Sequence, residues 1–235
     1  PPRSTLFPYT TLFRSISIHV KDKYDLAAQF YLWEIAVATA CSVIGVNSFD
    51  QPDVQDAKIR TLAGLEEYRQ QGQFPEVAAF AEYPRVRVLS SIPPTVERRG
   101  SIMRLVFSYM EHNLDGAEFV AINAFLPKNE GNEALLQNLR GKIGEKFALP
   151  VTLGFGPRYL HSTGQFHKGG PNNGLFILIT AQRQNDIEIP GQGISFGVFQ
   201  RAQAIGDLRA LEAKGRKVLW LDLAEPDVNI LFEQK

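Results

Sequence analysis

Apolar residues follow two different spacings along most of the chain. Short apolar runs predict buried strands at residues 118–126, 150–156, 173–180 and 217–223. Between and beside these runs, apolar residues recur at helical spacing and predict helices at 132–149 and 194–214. Strands that alternate with helices are typical of an α/β fold. We therefore predict a layered α/β/α arrangement with a largely parallel sheet.

Two further helices are predicted in the first third of the chain. Residues 21–46 carry an apolar stripe at helical spacing, made of Phe30, Trp33, Val37, Cys41 and Ile44. The apolar run 30–46 is shorter than the about 20 residues that a membrane span needs, and Glu34 interrupts it. The pattern therefore favours a buried helix and no membrane contact. A strand is predicted before this helix at 16–20, and a second helix after it at 52–72.

The domain organisation is predicted from two breaks in this pattern. Prolines interrupt residues 74–110, where only 85–89 is a candidate strand, so we expect an irregular connection between subdomains at 16–73 and 111–235. Residues 1–15 show neither helical nor strand spacing and look like a translated sequencing adapter. We expect them to form an artefactual tail that takes no part in the fold.

Charge and cysteine content narrow the function. The chain has 25 basic and 25 acidic residues, so it lacks the basic excess of a nucleic-acid-binding protein, and no nucleic-acid partner is expected. One cysteine, Cys41, excludes an intramolecular disulfide and fits a reducing compartment. These features predict a cytoplasmic protein in which Cys41 is a core residue.

The segment GPRYLHSTGQFHKGGPNNG, residues 156–174, follows a predicted strand. It combines five glycines with four basic or titratable side chains, namely Arg158, His161, His167 and Lys168. Open α/β sheets bind ligands at the carboxyl ends of their strands, and glycines let backbone N–H groups approach an anion. Two interpretations of this segment are left open: a loop that binds an anion or a sugar phosphate, and a purely structural turn. The two histidines lack an obvious third ligand, so no metal site is predicted.

A second polar cluster, NSFDQPDVQDAK at residues 47–58, follows the first long helix. Asp50 could simply cap the helix that begins near Pro52. The functional interpretation instead directs Lys58 into a cleft that Gln51 also reaches. A lysine in such a cleft donates protons to sugar oxygens and stabilises developing negative charge.

Three segments carry a resemblance to a known family. WEIAVATACSVIGVNSFDQPDVQDAK, GPRYLHSTGQFHKGGPNNG and FGVFQRAQAIGDLRAL resemble the C-terminal part of glucose-6-phosphate isomerases. The second and third segments resemble in particular the isomerase half of proteins that fuse a transaldolase to this enzyme. The likeness as a whole covers most of the chain. It extends from about residue 16 to residue 223, and Lys58 follows Gln51 at the spacing of the family's catalytic lysine.

The resemblance implies an enzyme that interconverts glucose 6-phosphate and fructose 6-phosphate without a cofactor. It implies that Lys58 and His167 are catalytic groups that assist ring opening. Gln51, Arg158, His161 and Lys168 would then contact the sugar-phosphate substrate. In single-function isomerases the histidine precedes the lysine, whereas His167 follows Lys58 here.

Two parts of the family's site are not found in this sequence: the glutamate that transfers the proton and the Ser/Thr cradle for the phosphate. We therefore expect a C-terminal fragment that is inactive alone, from a full-length enzyme for which a homodimer is one expected assembly. The alternative is a non-catalytic module that binds sugar phosphates or forms dimers.

Overall fold

The structure, a computed structural model, describes residues 17–50, 52–92, 100–183 and 185–233. The chain divides into two compact units, Pro1–Asp50 and Gln51–Lys235. The adapter-like tail predicted at residues 1–15 lies outside the described residues.

The described part of the first unit is built around one helix, α1 (Lys23–Ile44). The Asp22 carboxylate caps its first turn by accepting hydrogen bonds from the backbone N–H groups of Tyr24 and Asp25. Gly45 ends the helix with a φ of 74°, in the left-handed region that glycine adopts freely. The helix predicted at 21–46 is therefore confirmed. The strand predicted at 16–20 is wrong for residues 17–20, which form no strand.

The prediction that α1 is a buried helix is wrong for this chain, because none of its residues is buried. Phe30 is 63% exposed and Trp33 is 50% exposed. The physical reason is that the described residues of this unit contain no second layer that could cover the helix. By length and composition α1 could also cross a membrane, which is weak evidence because core helices and signal sequences meet the same criterion.

The second unit contains a six-stranded sheet. The strands are β1 (Ala81–Tyr83), β2 (Val86–Ser90), β3 (Phe119–Phe125), β4 (Val151–Phe155), β5 (Gly174–Ala181) and β6 (Lys217–Leu223). Their order is β1-β2-β6-β5-β3-β4, in which β3 to β6 run parallel and β1 and β2 form an antiparallel edge. The predicted α/β fold with a largely parallel sheet is confirmed.

Helices cover both faces of this sheet. They are α2 (Pro52–Gln71), α3 (Ile102–Asn113), α4 (Glu130–Phe147), α5 (Gly164–Gly169) and α6 (Phe196–Ala213). α3 and α4 share one core with one face, while α6 shares a second core with the other face. α2 packs on the outer side of α6, where Leu65 meets Ala202. The sheet is thus layered as predicted, with one additional helix on the α6 side.

Residues 74–110 are not the irregular connection that the sequence predicts. Their described part contains β1, β2 and α3, and β2 pairs with β6 along five residues from Val86 to Ser90. Val88 and Leu105 are fully buried in the same core as β3 and β5. The prolines interrupt the local pattern, but strand pairing with a distant part of the chain joins the segment to the sheet. The structure therefore divides near residue 50 rather than in this segment.

Candidate functional site

Helices α2 and α6 cross closely at Gly206. A Cβ atom at this position would lie 2.5 Å from Thr61 Oγ1 and 3.1 Å from the backbone oxygen of Ala57. The Thr61 hydroxyl donates a hydrogen bond of 2.8 Å to that same oxygen within α2. Only a glycine permits this approach, and the walls of a cavity form beside it.

The cavity has a volume of about 310 Å³. One wall is a stripe of α2 at helical spacing, consisting of Val54, Ala57, Lys58, Thr61 and Leu62. The other walls are Leu160 and His161 from a 3₁₀ turn (Arg158–His161), Lys168 from α5, and Phe199 and Gln203 from α6. Three of the residues predicted to form a site, Lys58, His161 and Lys168, therefore line one cavity.

A single carboxylate holds the helices around this cavity together. Asp53, in the first turn of α2, accepts a hydrogen bond of 2.8 Å from Gln165 Nε2 on α5. Gln165 Oε1 in turn accepts one of 3.3 Å from the backbone N–H of Val54. Lys214, which follows α6, pairs with the other oxygen of Asp53 at 2.9 Å. These contacts fix the position of α2 and hence of Lys58.

The segment 156–174 is not a glycine-rich loop throughout, because it contains the 3₁₀ turn Arg158–His161 and helix α5. Its glycines allow close packing within the protein. A Cβ at Gly169 would lie 2.4 Å from Asp53 Oδ2, and one at Gly174 would lie 2.4 Å from the Phe119 ring. The structure thus favours the structural interpretation of these glycines, while basic side chains of the same segment reach the cavity.

A buried polar network adjoins the cavity at Lys168. Lys168 Nζ lies 2.5 Å from Asp207 Oδ1, and the two side chains are only 2% and 1% exposed. The hydroxyl of Tyr159 donates to the other oxygen of Asp207 at 2.6 Å. Burial, with the charge of Asp207 beside it, raises the pKa of Tyr159 well above its usual range. The charge of Lys168 is therefore balanced by Asp207, and the buried pair holds the lysine side chain in place.

His167 lies in the hydrophobic core rather than at the cavity. It is 3% exposed and packs against the rings of Phe176 at 5.2 Å, Tyr159 at 6.0 Å and Phe119 at 6.4 Å. Its Nδ1 atom is buried and has no hydrogen-bond partner among the described residues. The catalytic role predicted for His167 requires contact with substrate, so this position favours a packing role instead.

We expect His167 to make stability depend on pH. Burial lowers its pKa from 6.5 to about 4, and nearby Lys168 and Arg216 add to this effect while Asp207 opposes it. The folded protein therefore binds this proton less readily than the unfolded chain. Above pH 6.5 His167 is neutral in both states and the full free energy of unfolding is present. This free energy falls as the pH drops from 6.5 towards 4, because only the unfolded chain then takes up the proton. Urea unfolding should show a loss of about 3 kcal/mol across this range from His167.

The matched variants for this prediction are His167→Phe and His112→Phe. His167→Phe keeps an aromatic ring in the core and removes the titrating group, so the difference between pH 7 and pH 4 should shrink. His112 is an exposed residue of α3, and His112→Phe should leave that difference as in the parent. An unchanged pH dependence in His167→Phe would show that His167 is not the group responsible.

The remaining predicted site residues differ in accessibility. Lys58 and His161 are exposed, and neither side chain makes a hydrogen bond or ion pair within the part of the chain that the structure describes. Arg158 is exposed on the same turn as His161 but does not line the cavity. Gln51 lies outside the described residues. Lys58 and His161 are thus free to bind an anion at the cavity mouth.

Sequence reasoning missed Asp207, Tyr159 and Gln203. Asp207 is the only acidic residue between 196 and 211, in a helix whose inward positions were predicted correctly at Ala202, Ile205 and Leu208. A lone carboxylate among inward-facing positions is the sequence signal that could have indicated a buried ion pair. Its partner Lys168 is 39 residues away in the chain, so the pairing itself cannot be found from local spacing.

Among the residues that the structure describes, no cluster of three or more His, Cys, Asp or Glu side chains is placed to hold a metal ion. The cavity itself offers two lysines, one histidine, a glutamine and a threonine among apolar side chains. Nitrogen donors of this kind suit an anionic organic ligand better than a metal cation.

The fold and the cavity define an α/β protein with a small basic cavity beside a helix crossing. No protein-family model matches the chain, and none of the curated proteins matches it. Among solved structures, the chain is similar to a hypothetical protein from Thermus thermophilus, with 19% sequence identity and a TM-score of 0.40. The match covers 50% of this chain and 33% of that protein, so the chain spans about a third of its length.

Proposed function

We propose that this chain is part of a glucose-6-phosphate isomerase and that its cavity binds the sugar-phosphate substrate. The observation that supports the proposal is the convergence of Lys58, His161 and Lys168 on one cavity. Lys58 comes from one of the segments that resemble the isomerase family, and the other two come from a second such segment. Residues about a hundred positions apart in sequence thus line the same cavity.

Lys58 and His161 supply the chemistry in this proposal. Ring opening needs one group that takes a proton from the sugar hydroxyl and one that gives a proton to the ring oxygen. Lys58 and His161 are the accessible acid–base groups that line the cavity, since Lys168 is paired with Asp207. We therefore assign to His161 the ring-opening role that the resemblance implies for His167. Lys58 also stabilises the negative charge of the enediolate that forms when the proton leaves carbon.

The volume of the cavity supports a small ligand. About 310 Å³ is near the lower end of the range for small-molecule sites and suits a hexose phosphate better than a nucleotide. The proposal includes a cytoplasmic location, a homodimer of the full-length protein, and no cofactor, nucleic acid or membrane as partner.

A second candidate function is a sugar-phosphate-binding or dimerisation module without catalysis. One observation favours it: no Asp or Glu is among the described residues that line the cavity. Movement of a proton between C1 and C2 requires such a base. Binding without turnover by the full-length protein would support the module over the enzyme.

Titration of the 235-residue chain with fructose 6-phosphate by calorimetry tests the proposed site. We expect saturable binding that inorganic phosphate displaces. Lys58→Met should weaken it about tenfold, the effect of losing one charge-assisted hydrogen bond. Lys142→Met, which removes an exposed lysine from α4 on the opposite face of the sheet, should bind as the parent does. Equal affinity in the parent and Lys58→Met would contradict the assignment of Lys58.

A further inference from the structure

The first turn of α2 is capped by a side chain from another helix. The first N–H groups of a helix have no partner within that helix, and Pro52 at its start has no N–H at all. Gln165 of α5 accepts a hydrogen bond of 3.3 Å from the backbone N–H of Val54. Its Nε2 atom donates one of 2.8 Å to Asp53 Oδ2. Because both bonds come from one planar amide, they set the distance and the orientation between α5 and the start of α2.

Helix α5 is itself restrained by the rest of the second unit. Arg216, which is 5% exposed, donates hydrogen bonds of 2.7 Å and 2.6 Å from Nη2 to the backbone oxygens of Lys168 and Gly170, at the end of this helix. The Lys168 ammonium is paired with Asp207 of α6 at 2.5 Å. The Gln165 amide therefore projects from a helix whose own position is fixed by buried contacts.

Gln165 also follows closely after the turn that carries His161. The 3₁₀ turn ends at His161, and α5 begins at Gly164 with Gln165 as its second residue. The turn and the helix pack tightly, since a Cβ on Gly164 would lie 3.3 Å from the backbone oxygen of Tyr159. The backbone of His161 is thus held close to a constant position relative to Gln165.

Lys58 lies between two restrained points of α2. Gln165 holds the first turn of this helix, and the close crossing at Gly206 holds it near Thr61. The Lys58 ammonium has no partner in the described chain, so the position of α2 determines where it can reach. One glutamine thus connects the helix that carries Lys58 to the segment that carries His161.

We infer that Gln165 is a positioning residue that sets the separation of Lys58 and His161, the two groups that the proposed function assigns to ring opening. The inference rests on the proposed function and adds to it a residue that does not itself line the cavity. Proton transfer depends strongly on geometry, and a misplacement of about 1 Å can lower a rate about a hundredfold. Loss of the Gln165 amide is therefore felt in the turnover of a closed-ring substrate.

Gln165→Met in the full-length protein tests this inference. Methionine keeps the length of the side chain and removes both hydrogen bonds, so turnover of fructose 6-phosphate should fall about ten- to a hundredfold. The Michaelis constant should change little, because the substrate contacts themselves remain. The defect should shrink with a four-carbon aldose phosphate, which needs no ring opening. Gln137→Met makes the same substitution at an exposed position of α4 and should leave the turnover of both substrates as in the parent.

Two double variants separate positioning from a loss of structure. Asp53→Asn combined with Gln165→Glu exchanges the carboxylate and the amide, so the contacts with each other, with the Val54 N–H and with Lys214 can all form again. Its turnover should return close to that of the parent, whereas Gln165→Glu alone brings two carboxylates together and should remain impaired. Adding Gln165→Met to Lys58→Met should lower turnover little further, because the lysine that is to be positioned is already absent.

Several outcomes would overturn the inference. Unchanged turnover in Gln165→Met would do so, as would an equally large defect on the closed-ring and the four-carbon substrate. Losses that add fully in the combination with Lys58→Met would indicate a general disturbance of the fold. Equal turnover in Gln165→Glu and the exchanged pair would exclude the hydrogen bonds as the cause. Turnover that depends on Lys58 but not on Gln165 would refute positioning and leave the proposed function, whereas absence of turnover in the parent would refute both.

Discussion

Replacing Lys58 by methionine in the full-length protein is expected to lower isomerase turnover by about two to four orders of magnitude. This is the usual contribution of a positioned acid–base group. The lysine is exposed at the cavity and has no ion-pair partner in the described chain, so its removal should leave the fold intact. Conversion of fructose 6-phosphate to glucose 6-phosphate, followed by a coupled assay, measures the effect.

The role of Lys58 in ring opening can be separated from a simple charge contact. A four-carbon aldose phosphate cannot close a ring, because its terminal oxygen carries the phosphate. If Lys58 acts mainly on the ring, the turnover defect of Lys58→Met should shrink with this substrate. If Lys58 only holds the phosphate, the Michaelis constant should rise to a similar degree for both substrates. Turnover within about threefold of the parent would refute the catalytic role.

His161 and Lys142 provide the comparisons for this experiment. His161→Gln should also lower turnover on the closed-ring substrate, since it removes the second accessible titrating group of the cavity. Lys142→Met changes an exposed lysine on α4 and should retain the parent's kinetics. A defect in Lys142→Met as large as that in Lys58→Met would indicate a general effect of charge on the protein.

Replacing Asp207 by leucine is expected to destabilise the second unit by about 3–5 kcal/mol. The substitution leaves the Lys168 ammonium buried without a counter-charge and removes the acceptor of the Tyr159 hydroxyl. Neither group can reach water, since Lys168 is 2% exposed and Tyr159 is 3% exposed. Urea unfolding at pH 7, followed by the fluorescence of buried Trp220, measures the loss in the free energy of unfolding.

Two further variants show whether the cost comes from the unpaired charge. Lys168→Met combined with Asp207→Leu removes both charges and should cost much less than Asp207→Leu alone, because apolar replacements of a buried pair are often close to neutral. Asp56→Leu breaks the surface pair of Asp56 with Arg60, whose side chains are 37% and 34% exposed. It should cost less than about 1 kcal/mol. If Asp207→Leu also lowers the free energy of unfolding by less than about 1 kcal/mol, the stabilising role of the buried network is refuted.

Much of the second unit was predictable because its elements have strong local patterns. The four parallel strands are nearly continuous apolar runs, and each lies within about two residues of its predicted range. The inward face of α6 was also predictable at Ala202, Ile205 and Leu208, as was the stop at Gly215, which has a φ of 66°. The edge strands β1 and β2 were less accessible to prediction, because their pairing depends on β6, more than a hundred residues later.

The candidate site was predictable only in part. Lys58 and His161 were identified because polar residues stand out after an apolar helix and a buried strand. Gln203 was missed because a single glutamine on a helix normally faces water. It lines the cavity because α2 packs opposite, and α2 is more than a hundred residues earlier in the chain.

Sequence alone determined the helical and strand periods, the α/β class and the presence of basic groups in two polar segments. These features depend on neighbours within a few residues, so local spacing is sufficient to predict them. Only the tertiary structure distinguished His167 from Lys168, two adjacent residues of one short helix. His167 lies among aromatic rings, whereas Lys168 turns towards Asp207 and the cavity. Burial and pairing depend on which distant segments pack against a side chain. For this reason the sequence predicts the apolar helix α1 but does not predict whether that helix is buried.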